Sequence, residues 1–241
     1  MQNLEGKTVV FFGATGGIGE SVCLEFQKAG ANLVLVARNQ DKLAKLKAGL
    51  GGESVAAISA DASNLADVQR VFRESNEKFG EIDAVVISVG TWQRTSLANS
   101  AQEIIDMNEK LDASIAKPVI VVGSVAQEVL RKQGRGVIFN MSSHAADKYL
   151  PGNLAYASAK AKASRFILNL GEELKETGMV RTCDLRPALV DTPQNREEFP
   201  KLSEAEWATV VQPVDIARFI SEEINNPNIP AIKFFESDVV V

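Results

Sequence analysis

The sequence predicts a single α/β domain, a doubly wound parallel sheet of about seven strands with helices on both faces. Two observations lead there. Short β-branched or apolar runs alternate with longer amphipathic stretches along all 241 residues, the pattern of a parallel sheet buried on both sides. A glycine-rich turn also follows the first apolar run and opens the first helical stretch, as in phosphate-binding βα turns. No Ser/Gly/Pro-rich linker or internal repeat interrupts the alternation, so residues 1–241 read as one domain.

The first strand is expected over "KTVVFF", residues 7–12, then a helix from Gly17 to Ala29 and a strand over "NLVLVA", residues 32–37. These form a βαβ unit. A short helix near 40–49 and a strand near 54–59 continue the pattern. In the next helix, from Asn64 to Phe79, Leu65, Val68, Phe72 and Phe79 recur at helical spacing and mark an inner face. "IDAVVIS" (82–88), a long helix over about 101–132 and "GVIFNMS" (136–142) follow. The remainder gives a helix from about 154 to 176 closed by Gly178, the strand "VRTCDL" (180–185), an irregular stretch to about 212, a helix from Pro213 and a last strand "AIKFF" (231–235).

Composition removes several function classes. Lys and Arg number 26 against 31 Asp and Glu, a net charge of −5, and no basic run offers nucleic acid or an anionic membrane a docking site. No uninterrupted apolar run approaches the roughly 18 residues of a membrane span. The first residues lack a charged segment followed by a signal-like apolar run, and only Cys23 and Cys183 occur, so a reducing cytoplasm is expected. One histidine and two cysteines argue against a dedicated zinc site, and no metal is expected. The cysteines, on a predicted helix and a buried strand, read as small apolar core residues.

The turn after the first strand reads "GATGGIG", residues 13–19. Gly13, Gly16, Gly17 and Gly19 remove side chains where backbone approaches a pyrophosphate, and the following helix aims its free N–H groups at that anion. The spacing is Gly13-x-x-x-Gly17-x-Gly19; Thr15 stands where the second glycine of the common dinucleotide fingerprint would fall. Further on, "LAYASAKAKASRF" sets Tyr156 four residues before Lys160, a pairing that any helix produces without chemistry. Ser143 closes the "IFNMSS" strand thirteen residues before Tyr156, and a sheet of this type brings both to its ligand-bearing edge.

In this order and spacing the features resemble the short-chain dehydrogenase/reductase family, of Rossmann type, over essentially the whole chain. The likeness extends to "RNQDKL" after the second strand, "ADASN" after the third and "RPALVDTP" after the sixth. The resemblance implies that the Tyr156 phenol passes a proton to a substrate carbonyl as hydride arrives from nicotinamide C4, while the Ser143 hydroxyl bonds the same oxygen. The Lys160 cation is expected to lower the phenol pKa from its reference of about 10 and to hold the nicotinamide ribose. Cofactor contacts are implied along the turn, at Gly13, Thr15, Gly16, Gly17, Ile18 and Gly19. Asp61 and Ala62 fall where the adenine edge is read, Gly90 and Pro187 along the cofactor, and Val190 and Thr192 near the nicotinamide amide.

Charge argues the cofactor type. NAD-selective sites carry an Asp or Glu about 20 residues beyond the glycine turn, and here that place reads "ARNQ". Ala37 accepts no hydrogen bond from a ribose hydroxyl, whereas Arg38 suits a 2′-phosphate, so NADP(H) is expected.

The chain also departs from its relatives. "ISVG", residues 87–90, stands where they have Asn-Asn-Ala-Gly, Phe12 replaces a threonine and Ala188 a glycine. Ser114, four residues before Pro118, takes the place of the fourth catalytic-tetrad residue, an asparagine. Phe12 and Ile87 are expected to meet as an apolar contact between neighbouring strands. Residues 193–212 read as a mobile substrate loop that, with Trp92 and Tyr149, walls an apolar pocket; Ser142 and His144 read as pocket-lining or packing residues. The expected function is an NADPH-dependent carbonyl reductase, reversible as an alcohol dehydrogenase, acting on a small ketone, aldehyde or secondary alcohol. The resemblance implies a homo-oligomer, dimer or tetramer, and leaves as its alternative a catalytically weak NADP(H)-binding redox sensor or scaffold.

Overall fold

The computed structural model describes residues 2–176, 178 and 180–239. Its strands are β1 (Thr8–Phe12), β2 (Asn32–Ala37), β3 (Val55–Ser59), β4 (Ala84–Ile87), β5 (Gly136–Met141), β6 (Val180–Pro187) and β7 (Ile232–Phe235). They pair in parallel in the order β3-β2-β1-β4-β5-β6-β7. The chain winds outward from β1 to β3, returns to lay β4 beside β1, and then winds the other way. The order reverses between β1 and β4, and the crevice beyond their carboxyl ends is where such sheets receive ligands.

Strand alternation sorts the core into two layers. Val9, Phe11, Leu33 and Leu35 face one layer with residues of α1 (Gly17–Lys28), α2 (Gln40–Leu50) and α9 (Pro213–Glu223). Val10, Phe12, Val34 and Val36 face the other, with α3 (Leu65–Phe79), α5 (Lys117–Gln133) and α6 (Leu154–Lys175). Phe12 and Ile87 are register partners on β1 and β4 and share this second layer, both fully buried. The Phe12 ring also lies 6.0 Å from that of Phe72. The expected apolar contact between the strands is therefore present. Ile87→Val, removing one buried methylene there, is expected to cost about 1 kcal/mol in urea unfolding; an unchanged midpoint would mean that the pair contributes nothing.

Three elements differ from the expectation. The inner face of α3 is built by Val68, Val71 and Phe72, while Phe79 is only half-buried. Leu65, on the same stripe as Phe72 but in the first turn, is 55% exposed. The long helix is interrupted: α4 (Ala101–Leu111), opened by a Ser100–Glu103 capping box, passes into a π-helical turn at Asp112–Ala116 before α5. Residues 193–212 are ordered as two short helices, α7 (Pro193–Glu198) and α8 (Glu204–Trp207), with Val190 bridged to Val211. Residues Ala101–Gln133 are long and apolar enough, by length and composition, to cross a membrane; half of the apolar stretch is buried inside the fold.

Cys23 on α1 and Cys183 on β6 are unpaired and buried, and burial pushes both thiols above their ordinary range. Among the described residues no cluster of His, Cys, Asp or Glu is arranged to hold a metal ion.

Candidate active site

The crevice at the switch point is a pocket built from four strand-end segments and the helix α6. Gly16, Gly17 and Ile18 bring the start of α1, and Ser88, Val89, Gly90 and Trp92 the segment after β4. Ser142 and Ser143 follow β5, Tyr156 and Lys160 descend from α6, and Pro187 ends β6, with Val190 and Thr192 beyond it. Ten of the catalytic and cofactor-binding residues expected from sequence thus converge here, together with Trp92 and Ser142.

The glycines have identifiable physical reasons. Gly13 has φ +89, and a Cβ there would stand 2.0 Å from the Ser88 carbonyl oxygen, so only glycine lets the ends of β1 and β4 approach. A Cβ on Gly19 would fall 2.4 Å from the Gly13 carbonyl oxygen, which keeps α1 tight against its own turn. Gly90, at φ +112, lies under Ile115 of the π-helical turn, whose Cγ1 would be 2.6 Å from an added Cβ. The N-terminus of α1 has no side-chain cap, unlike α2, α3 and α4, which are capped by Asn39, Asn64 and Ser100. Its first N–H groups remain donors for an anion at the pocket floor, and on this ground the residues fit the phosphates of a dinucleotide.

Ser143, Tyr156 and Lys160 form the polar heart of the pocket. Ser143 caps a 3₁₀ turn at His144–Ala146, its hydroxyl oxygen accepting from the Ala145 N–H at 3.2 Å, and its side chain acts on the Tyr156 phenol. Lys160 is buried and its Nζ donates to the Met141 carbonyl oxygen at 2.8 Å, with the ammonium 5.8 Å from the Tyr156 ring centroid. The expected lowering of the phenol pKa is corrected here. Burial pushes Tyr156 up to about 12, against a smaller opposing effect of the Ser143 hydrogen bond. Burial likewise pulls Lys160 down to about 8, partly opposed by Asp184. The ammonium is engaged by a backbone carbonyl, and desolvation of the buried phenolate sets the direction of the shift.

Other expected residues lie away from this pocket. Ser114, within the π-helical turn, turns its hydroxyl back to the Leu111 carbonyl oxygen at 3.3 Å and does not line the pocket. Asp61 accepts from the backbone N–H and hydroxyl of Ser63, at 2.9 and 2.8 Å; that backbone bond foremost holds its carboxyl below the usual range. Ala62 is buried in the core, and Arg38 is exposed at the carboxyl end of β2. Tyr149 is fully exposed and walls nothing. His144 is buried against Phe234, ring centroids 5.5 Å apart, and desolvation holds it below its ordinary pKa. Trp207 is a packing residue, 3% exposed, with the Arg196 guanidinium 5.0 Å from its ring centroid.

The structure adds Thr91 and Met141 to the pocket, and of the expected wall segment 193–212 it brings Gln194 and Asn195 there. Trp92 is fixed by donating from Nε1 to Asn153 Oδ1 at 2.7 Å, and its ring lies 6.1 Å from that of Phe199. Thr95 is bridged to Asn153, so the Trp92 segment is fastened to the start of the helix that carries Tyr156.

An uncapped helix start behind a glycine turn, facing a Ser-Tyr-Lys group at the switch point of a doubly wound sheet, defines a dinucleotide-dependent oxidoreductase. Residues 7–203 match the short chain dehydrogenase family, and the chain belongs to it; the family's enzymes work with a nicotinamide cofactor. Among curated proteins the chain is 29% identical to an uncharacterized oxidoreductase of Staphylococcus saprophyticus, over 98% of this chain and 96% of the relative. An uncharacterized oxidoreductase of Staphylococcus aureus is 28% identical, over 80% and 81% of the two chains. Among solved structures, a short-chain dehydrogenase/reductase of the glucose/ribitol dehydrogenase type from Brucella melitensis has a TM-score of 0.83 and 26% identity, covering 97% and 96% of the two chains. A 3-ketoacyl-(acyl-carrier-protein) reductase from Brucella melitensis, complexed with NADH, has a TM-score of 0.78 at 22% identity, covering 95% and 96%, and is similar in fold.

Proposed function

We propose that the chain is an NADP(H)-dependent reductase of small ketones or aldehydes, reversible as an alcohol dehydrogenase, with Tyr156 as its general acid and base. The observation that carries this reading is the convergence of Ser143, Tyr156 and Lys160 in one pocket floored by the uncapped start of α1. When bound, the reduced cofactor supplies the hydride. The chain's own residues manage the proton. With its pKa near 12, the Tyr156 phenol stays protonated through neutral pH and is a loaded donor. Its O–H bond breaks as the product alcohol's O–H bond forms, leaving a phenolate that the Lys160 ammonium offsets by charge. Ser143, which lines the same pocket as Tyr156, offers a second hydroxyl to the same carbonyl oxygen. Gly16, Gly17 and Ile18 would hold the pyrophosphate, and Lys160 the nicotinamide ribose.

The walls favour an uncharged substrate. Apart from Lys160 the lining residues carry no formal charge, and Trp92 presents a fixed aromatic face beside Met141. This suits an apolar ketone, aldehyde or secondary alcohol. The test is NADPH consumption by the purified protein against a panel of ketones, aldehydes and acyl thioesters. Tight NADPH binding without turnover on any of them would favour a sensor or scaffold.

Arg38 supports the choice of NADP(H). It is exposed at the carboxyl end of β2, and its charge acts on Asp61 across the neighbouring strand end. Arg38→Asp is expected to weaken NADPH binding by about 10- to 100-fold, the size of one or two charge-assisted hydrogen bonds, with little effect on NADH. Fluorescence titration with both cofactors checks this, and equal losses would remove Arg38 from phosphate recognition.

A further inference from the structure

One helical turn past Lys160, α6 meets a buried ionic cluster. Asp184 on β6 is fully buried. Its Oδ1 accepts from Asn140 Nδ2 at 2.7 Å, and its Oδ2 accepts from Arg186 Nε at 2.8 Å and from the Ser164 hydroxyl. Arg186 also donates from Nη2 to Ser164 Oγ at 2.9 Å and pairs through Nη1 with Asp147 at 3.5 Å. Asn140 and Asp184 are register partners on β5 and β6. The residue after Asn140 is Met141, whose carbonyl oxygen receives the Lys160 ammonium. The cluster therefore ties together the three elements that support Lys160 and its backbone acceptor: α6, β5 and β6.

The charges around Lys160 are few. Its own helix brings Tyr156 to the pocket, and β6 brings Asp184 and Arg186. The strand β5 and the pocket segment 88–92 contain no charged side chain, while Asp112 of the π-helical turn is taken by Lys162 at 2.5 Å. A cation as deeply buried as Lys160 is costly unless an anion acts on it through the same low-dielectric interior. Asp184 is that anion.

We propose that Asp184 is a positioning residue for the reaction, a buried carboxylate that keeps Lys160 charged, with Arg186 setting how much of its field reaches the lysine. The proposal rests on the reductase reading for the use made of that charge. Asp184 acts on Lys160 against the desolvation that otherwise deprotonates it. Asp184→Asn removes the anion, and Arg186→Gln removes the cation that competes for it. The two substitutions must then move the lysine in opposite directions, which loss of packing alone would not do.

The experiment measures both variants and the wild type in two ways: the pH dependence of carbonyl reduction, and the pH dependence of Lys160 acetylation by acetic anhydride, followed by peptide mass spectrometry. Asp184→Asn is expected to move the alkaline limb of activity and the labelling midpoint down by about one unit or more, and Arg186→Gln to move both up. Midpoints that stay in place, or move the same way in both variants, overturn the proposal even if thermal stability falls. Should Asp184→Asn not fold, the direction of the Arg186→Gln shift decides. Absence of turnover in the wild type overturns the reductase reading, and the labelling midpoints then decide the role of Asp184 by themselves.

Discussion

Tyr156→Phe is expected to lower carbonyl reduction by about 10²- to 10⁴-fold, the usual contribution of a positioned proton donor, while cofactor binding persists. The substitution removes one oxygen and leaves the ring that packs against the core beneath α6. Steady-state turnover with a parallel NADPH fluorescence titration separates the two effects; full turnover in the variant would remove Tyr156 from the chemistry. The wild-type pH profile should carry the signature of the pair. The phenol, at about 12, remains a donor throughout the working range. Lys160, at about 8, loses its charge as pH rises through that value. Reduction should therefore be flat below about pH 7.5 and fall above pH 8.

Gly13→Ala is expected to be the most destabilising single-methyl change in the cofactor turn. At φ +89 the new side chain meets the strain of a left-handed conformation, about 1–2 kcal/mol. Its Cβ would also lie 2.0 Å from the Ser88 carbonyl oxygen, a backbone atom with no flexible end to swing aside. Relief requires moving apart β1 and β4, which are bonded there through the Ser88 N–H and the Phe12 carbonyl oxygen at 2.8 Å. The total should reach at least about 4 kcal/mol, in the exceptional range for a point substitution. Gly6→Ala is the control: its φ is +75, but nothing lies within 4 Å of the added Cβ, so only the conformational part remains. A Gly13→Ala protein as stable in urea as the control would show that the two strand ends part without cost.

Much of this was written plainly in the sequence. The alternation of apolar runs and helices carried the parallel sheet, and the glycine turn with Ser143, Tyr156 and Lys160 carried the centre of the pocket, because strand ends and helix starts meet at one edge. What escaped was set by tertiary detail. Residues 193–212 were legible as a wall of the pocket, but which of them line it, Gln194 and Asn195, depends on the path the chain takes after Thr192, and no periodicity announces that path. Its two short helices did leave a signal, however. Thr192 followed by Pro193 is an N-cap with proline at the first helical position, and Ser203 with Glu206 is a capping box. The π-helical turn left none that a helical wheel would register, and with it went the placement of Ser114. The direction of the Tyr156 shift runs opposite to the expectation because a sequence shows the lysine's charge but not the burial that desolvates the phenol. Asp184 and Arg186 stood in view as charged residues in an apolar strand, without a hint of their shared partner Ser164.

The reversal of strand order has a consequence for how the protein comes to be active. Its pocket draws on the turn after β1, the segments after β4 and β5, the helix α6 and the chain beyond β6, and β4, the partner of β1 on this side, follows both β2 and β3 in the chain. Contacts this distant along the chain form slowly, since a long loop must close before any of them is rewarded. During synthesis the glycine turn emerges early and waits without a partner wall until Pro187–Asn195 has followed. A complete pocket therefore requires the sheet out to β6 and the segment beyond it.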